Sequence, residues 1–498
     1  MTVPADSLGD GGEMTEMRGL PRAGLRDAGR ASVLAPTTLV PTPPGPTTPV
    51  PTTLVPTPPG PTTPVPTTLV PTPPGPTTLV PRAPRTALHA GAALIIAGPL
   101  VAVAGGRWGS YIGIPGTPVF LADLLVIAGL ALFALDSARH GSVPGVARSP
   151  RVLRTAATLW VGALALGVMR GTGDLLAVRD ALPFAYLALT PVLVRAVRIV
   201  GRGRVLRWVT AAAAVHSVWF GAAVFGVLPE ISMPLAGIPV FTTRGDFDGL
   251  VCGIAIATML AARRVPLAVR LGIIVLSAAA VMAHGSRAGL VAALLVVAVT
   301  VVGARPFRDE RLGPVRLAAV FLALPMLLAA FVVAARSSAG WARGFERLVA
   351  GPAVEGSSNT TSARVDAWES IVAHVASDPW SRWLGEGFGS SFVADSGALV
   401  HLSGDAAVRQ AHSFVIGWFA MLGIVGATLA LSAVAAVLIA SLRRVRTARA
   451  ARIGAAIQVG LLFAALVGVI LESPFGYMTY ALAVALTFAA DPDLDHAS

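Results

Sequence analysis

From residue 87 to residue 490 the chain is a succession of apolar runs, most of them long enough to cross a bilayer. A lipid-embedded segment must satisfy its backbone hydrogen bonds internally, so runs of this kind read as helices. Twelve can be read: 87–105, 118–135, 154–169, 181–199, 206–228, 247–262, 266–283, 288–304, 315–335, 412–441, 453–471 and 474–490. The fold class this implies is an all-α polytopic membrane protein. It would have about 12 transmembrane helices, with residues 336–411 as one large polar loop between helices 9 and 10. Only 13% of the residues are charged, against roughly a quarter in a soluble domain. The single Cys252 lies inside an apolar run, which excludes a disulfide framework and reads as a small core residue.

Orientation follows from the charges. All 38 basic residues are arginines, and the net charge is +12. Arginine clusters at 139–154, 195–207, 263–270, 305–316 and 443–452 all fall in loops on one side of the membrane, twenty-one residues in total. The short loops on the other side hold five: Arg107, Arg170, Arg179, Arg244 and Arg287. The positive-inside bias therefore places both termini in the cytoplasm and residues 336–411 outside. Arginines confined to loops in this way also argue against nucleic acid as a partner. The localisation implied is the cytoplasmic (inner) membrane, multi-pass, in contact with membrane lipid.

The segments divide as follows: residues 1–85, a tail; 86–335, helices 1–9; 336–411, the loop; 412–490, helices 10–12; and 491–498, a cytoplasmic end. Residues 36–80 repeat a fifteen-residue Pro/Thr unit three times, starting at Pro36, Pro51 and Pro66. Proline at that density supplies too few backbone donors for helix or sheet, so an extended, disordered cytoplasmic tail is expected. No apolar stretch near Met1 reads as a cleavable signal.

Arginines on the outer face run against the bias and invite explanation. Arg287 follows Ser286, which reads as the N-cap of an apolar helix whose free N–H groups favour an anion. Lipid-headgroup snorkelling is the alternative for Arg287. Arg364 is expected in the first turn of a helix that starts at Thr361 or Ser362 and runs through residue 375. Val365, Trp368, Ile371 and Val372 would form its docking face. An anionic partner or a structural ion pair would each satisfy Arg364. The Gly385-Glu386-Gly387-Phe388-Gly389 segment lacks the preceding strand and last glycine of a dinucleotide fingerprint and reads as a tight turn. It follows Asp378-Pro379-Trp380, which should end the preceding helix. His412, at the start of the tenth helix, can serve as a general base or pack as an interfacial residue. Arg244, Asp246 and Asp248 border the sixth run, and Glu472 lies between the last two. No His, Asp or Glu sits at metal-ligand spacing with His412, so no metal and no cofactor is expected.

Taken together, Ser286-Arg287, Arg364 with Trp368, the spaced glycines 385, 387 and 389, His412-Ser413-Phe414 and Gly423-Ile424-Val425-Gly426 resemble the O-antigen ligase/polymerase superfamily. Where that family commonly has His-Asn, this chain has His412-Ser413. The resemblance implies a metal-independent integral-membrane glycosyltransferase whose donor is an undecaprenyl-diphosphate-linked glycan at the outer face. The acceptor, which the resemblance leaves open, would be a glycan, a lipid or a protein. In that family pattern Arg287 and Arg364 would hold the diphosphate and His412 would act on the acceptor hydroxyl, with Arg244, Ser286, Trp368 and Ser413 as binding residues. Ligase and polymerase are not separable on these residues. The competing classes are a transporter or flippase of lipid-linked glycans and a scaffold acting through Pro-x-x-Pro spacings in the tail.

Overall fold

The computed structural model describes residues 86–114, 117, 119–140, 149–229, 231, 240–304, 358–402, 408–489. The Pro/Thr tail, the ninth apolar run, residues 336–357 of the loop, and 491–498 lie outside them. Among the described residues the regular elements are all helices, beside one β-bridge between Gly113 and Phe120. They are α1 Thr86–Ser110, α2 Leu121–His140, α3 Arg151–Arg170, α4 Leu175–Ala188, α5 Thr190–Val200, α6 Arg202–Val224, α7 Gly245–Ala261, α8 Leu267–His284 and α9 Arg287–Val302. The polar loop contributes α10 Ser358–Ser377, α11 Pro379–Leu384, α12 Phe392–Asp395 and α13 Leu399–Leu402. The chain closes with α14 Phe414–Leu442, α15 Arg449–Leu466 and α16 Pro474–Phe488. Six of these helices are long and apolar enough to cross a membrane, or seven with α4 and α5 counted as one broken span.

Two predicted runs differ in form. The fourth is two helices bent by 53°, because Pro191 has no N–H to continue the ladder. The eleventh stops at Leu466 rather than 471. Ile470 and Leu471 are fully buried in the α15–α16 link, so their apolarity reports burial and not helix.

Close packing is achieved through small residues. Gly245, Gly249 and Gly253 repeat at one-turn intervals on α7 and face Gly289 and Ala293 of α9. A Cβ on Gly249 would come within 2.6 Å of the Gly289 backbone, so glycine is what lets these helices touch. α16 is buried along its whole length. Polar ties cross the bundle: Ser441 Oγ to Gln458 Oε1 at 3.0 Å, Gln458 Nε2 to Thr487 Oγ1 at 3.0 Å, and Tyr186 Oη to Asp123 Oδ1 at 2.6 Å. In a lipid-exposed bundle such bonds add to packing where hydrophobic burial cannot discriminate protein from lipid.

The 385–389 segment is more than a turn. Gly423, with φ 63° and ψ −170°, breaks α14 and releases carbonyls above it. The loop takes them: Glu386 N donates to Ala420 O at 2.9 Å and Gly387 N to Met421 O at 3.0 Å. Phe388 N donates to Gly167 O at 3.1 Å, Thr172 N returns a bond to Phe388 O at 3.0 Å, and Gly389 N donates to Asp180 Oδ2 at 2.9 Å. The Phe388 ring is buried over Gly167 and stacks on Phe184, centroids 5.4 Å apart. Gly385, Gly387 and Gly389 all have positive φ. The segment is a backbone plug that locks the polar loop between α3, α4 and α14.

Candidate functional site

The loop-side ends of α7, α9, α10, α14 and α15 meet at one place. Gly245 opens α7, and a Cβ there would collide with His284 and meet Ser286 Cβ at 2.6 Å. Ser286 caps α9 as expected, its hydroxyl accepting from Gly289 N at 3.2 Å. Arg287 therefore starts α9 beside the Arg244-Gly245 corner, with its side chain exposed.

Arg244 is half-buried. Its Nε donates to Asp246 Oδ1 at 3.1 Å, its guanidinium lies 5.6 Å from the Phe475 ring centre, and its backbone N–H is accepted by Asp248. Asp248 is in turn 3.3 Å from His216 Nε2, both fully buried. Asp246 rests against Gly468.

Arg364 occupies a later position than expected. α10 begins at Ser358, so Arg364 lies in its second turn and not its first. The face of α10 that docks carries Ala367, Ile371 and Val375, with Trp368 half-buried, whereas Val365 and Val372 are exposed. This rotation turns Arg364 inward, where Nη1 donates to Val467 O, the end of α15, at 2.8 Å. A cation on a helix C-terminal carbonyl is favoured by the helix dipole, and a guanidinium with five N–H groups keeps donors for a further ligand. Trp368 Nε1 donates to Ala411 O at 2.6 Å, which fixes the segment leading to His412.

His412 sits in the left-handed region, φ 56°, an uncommon conformation for a residue with a Cβ and one that recurs at functional positions. Ser413 follows as the N-cap of α14, buried, with no side-chain capping bond. Burial and the guanidiniums of Arg364 and Arg244 push the His412 imidazole down to about 4, with Asp246 opposing. Burial also lowers Arg364 from its ordinary value, partly offset by Asp246. Arg244, Asp246, Arg364 and His412 thus form one electrostatic group. Arg287 lies at its edge, through Ser286 and Gly245.

The sequence reading did not join Asp246 or Glu472 to this group. Glu472 is buried against Gly417, and neither of its carboxyl oxygens has a hydrogen-bond partner in the structure. Burial and the nearby Asp180 raise it to about 8, with Arg244 opposing. The folded protein therefore holds a proton there that the unfolded chain releases near 4.5. The stability linked to it is fully present below about 4.5 and is lost as pH rises through 8. Glu472→Gln is accordingly expected to fold normally at pH 7 and to flatten the fall in thermal stability between pH 6 and 9. Thermal unfolding of both forms across that range checks this.

No curated protein matches the chain. Residues 272–431, from α8 through the polar loop into α14, match a family described as O-antigen ligase.

Proposed function

We propose that this protein is a membrane glycosyltransferase that moves a glycan from an undecaprenyl-diphosphate donor to an acceptor hydroxyl. The observation that carries the reading is the gathering of Arg244, Arg364 and His412 at the loop-side ends of the helices, with Arg364 and His412 inside the segment that matches O-antigen ligases. In this reading the chain crosses the membrane twelve times, both termini are cytoplasmic, and residues 336–411 lie on the outer face.

Arg364 and Arg244, with Arg287 at the edge, hold the diphosphate and neutralise the charge that grows on it as the anomeric C–O bond breaks. A guanidinium fork matches phosphate oxygens better than an ammonium would. Asp246 holds the Arg244 guanidinium until the diphosphate takes its place. His412, neutral at physiological pH, takes the proton of the attacking hydroxyl. Its basicity is suppressed by burial first and by the two arginines in addition. A bound diphosphate offsets the arginines' share of that suppression, so donor binding raises the imidazole when a base is needed. With guanidiniums serving the leaving group, the reaction proceeds without a metal. Trp368 and Ser413 support His412 from either side.

The test is binding of a labelled undecaprenyl-diphosphate oligosaccharide to protein in nanodiscs. Wild type is expected to bind tenfold or more tightly than Arg364→Ala, consistent with about 1.5–3 kcal/mol for a charged hydrogen bond. Equal affinity of the two would contradict the assignment.

A further inference from the structure

We propose that α11 is an interfacial anchor that seats the polar loop in the headgroup region of the adjoining lipid leaflet. This inference concerns the lipid surface and does not rest on the glycosyltransferase reading.

α11 is a single short helix with no buried residue. Asp378 caps it, accepting from Ser381 N at 2.7 Å, and Pro379 fixes its first turn. Trp380 and Trp383 are 68% and 52% exposed. At a spacing of three residues they share one face, and Arg382 beside them is also exposed. Two indoles left bare on a loop call for an apolar partner.

Depth identifies that partner. The end of α11 lies against Gly423, where a Cβ would strike the Trp383 and Leu384 backbone. Gly423 divides α14, and residues 424–442 below it make about 28 Å of helix. α3, packed along α14, ends at Arg170 after about 30 Å, the thickness of a bilayer's hydrocarbon core. Arg170 Nε donates to Gly385 O at 3.2 Å, so the two helices reach the same level at the point where α11 leaves the bundle. Val168 and Met169 on α3 and Val425 on α14 are exposed at this level. The hydrocarbon edge thus passes beside α11. Tryptophan and arginine together are the residues that settle at such an edge, the ring among acyl carbonyls and the guanidinium on lipid phosphate.

The competing occupant is a soluble sugar stacked on the indoles. Proteoliposomes of wild type and of the Trp380→Phe/Trp383→Phe double variant would be titrated with phosphatidylcholines brominated at graded acyl depths, and separately with acrylamide. The two indoles are two of nine in the chain. Their replacement is expected to remove more than that share of the quenching by shallow-brominated lipid, and little of the quenching by acrylamide. Loss of acrylamide quenching alone, with bromolipid quenching unchanged, would place this face in water and overturn the proposal. So would protection of the two indoles by soluble oligosaccharide.

Discussion

His412→Ala and Arg364→Ala are each expected to lower glycan transfer by about 10²–10⁴-fold, the range for losing a general base or a leaving-group donor. The two should differ in character. Arg364 holds the end of α15 as well as facing His412, so its loss should weaken donor binding and slow turnover together. Arg364→Lys should recover little, because an ammonium cannot reproduce a guanidinium that serves Val467 O and a phosphate at once. His412→Ala should leave donor binding nearly intact. The pH dependence separates them further. In the free protein His412 is held near 4, so the acid limb of kcat/KM, which reports free protein, should fall well below the ordinary histidine value of 6.5. The acid limb of kcat should lie higher, since a bound diphosphate offsets the arginines. Both limbs are read from initial rates in proteoliposomes between pH 4 and 8. The same shift makes stability full above 6.5 and progressively lost as pH falls through 4, because the unfolded chain protonates first.

Gly387→Ala is expected to undock the polar loop. Gly387 has φ 89°, where a side chain costs about 1–2 kcal/mol, and a Cβ would strike the Arg170 carbonyl. Backbone atoms on α3 cannot yield as a flexible side chain would, so the bonds from Glu386 and Gly387 to α14 should be lost with it. The total is on the order of 3 kcal/mol or more. Gly397 provides the control. It also has positive φ, 73°, but nothing lies within 4 Å of its Cβ position, so Gly397→Ala should cost only the backbone share. Limited proteolysis within residues 390–411, alongside thermal unfolding, compares the two. Equal protection of both variants would show that the plug is not what holds the loop.

The helices were legible because long apolar runs bounded by charged loops read as helices, although among the described residues only six, or seven with the bent pair, are long and apolar enough to cross a membrane. Eleven of the twelve apolar runs coincide with helices in the described residues, the fourth as the bent α4–α5 pair. The same signal misleads at the membrane surface. Of the expected docking face of α10, Ile371 is buried and Trp368 packs on the core, but Val365 and Val372 are exposed, and the buried face runs through Ala367, Ile371 and Val375. The eleventh run overshot for a related reason, since buried turns are as apolar as helices. Ser286 as a cap was readable from local chemistry. The glycine plug was not, because its partners Gly167, Ala420 and Met421 are distant in sequence and use backbone atoms alone. Asp246 and Glu472 reach the His412 region only through tertiary packing, at Gly468 and Gly417. Arg244 and Arg364 stood out beforehand because the charge bias predicts the outer face for their segments, and an arginine there would run against that bias and need a partner.

The most direct measurement is glycan transfer in proteoliposomes supplied with an undecaprenyl-diphosphate oligosaccharide and an acceptor glycan, with EDTA present. A transferase site at Arg364 and His412 predicts release of undecaprenyl diphosphate in step with product, undiminished by the chelator and lost in Arg364→Ala and His412→Ala. Donor that crosses the bilayer unchanged, at equal rates in wild type and variants, would contradict it and indicate a carrier of lipid-linked glycans.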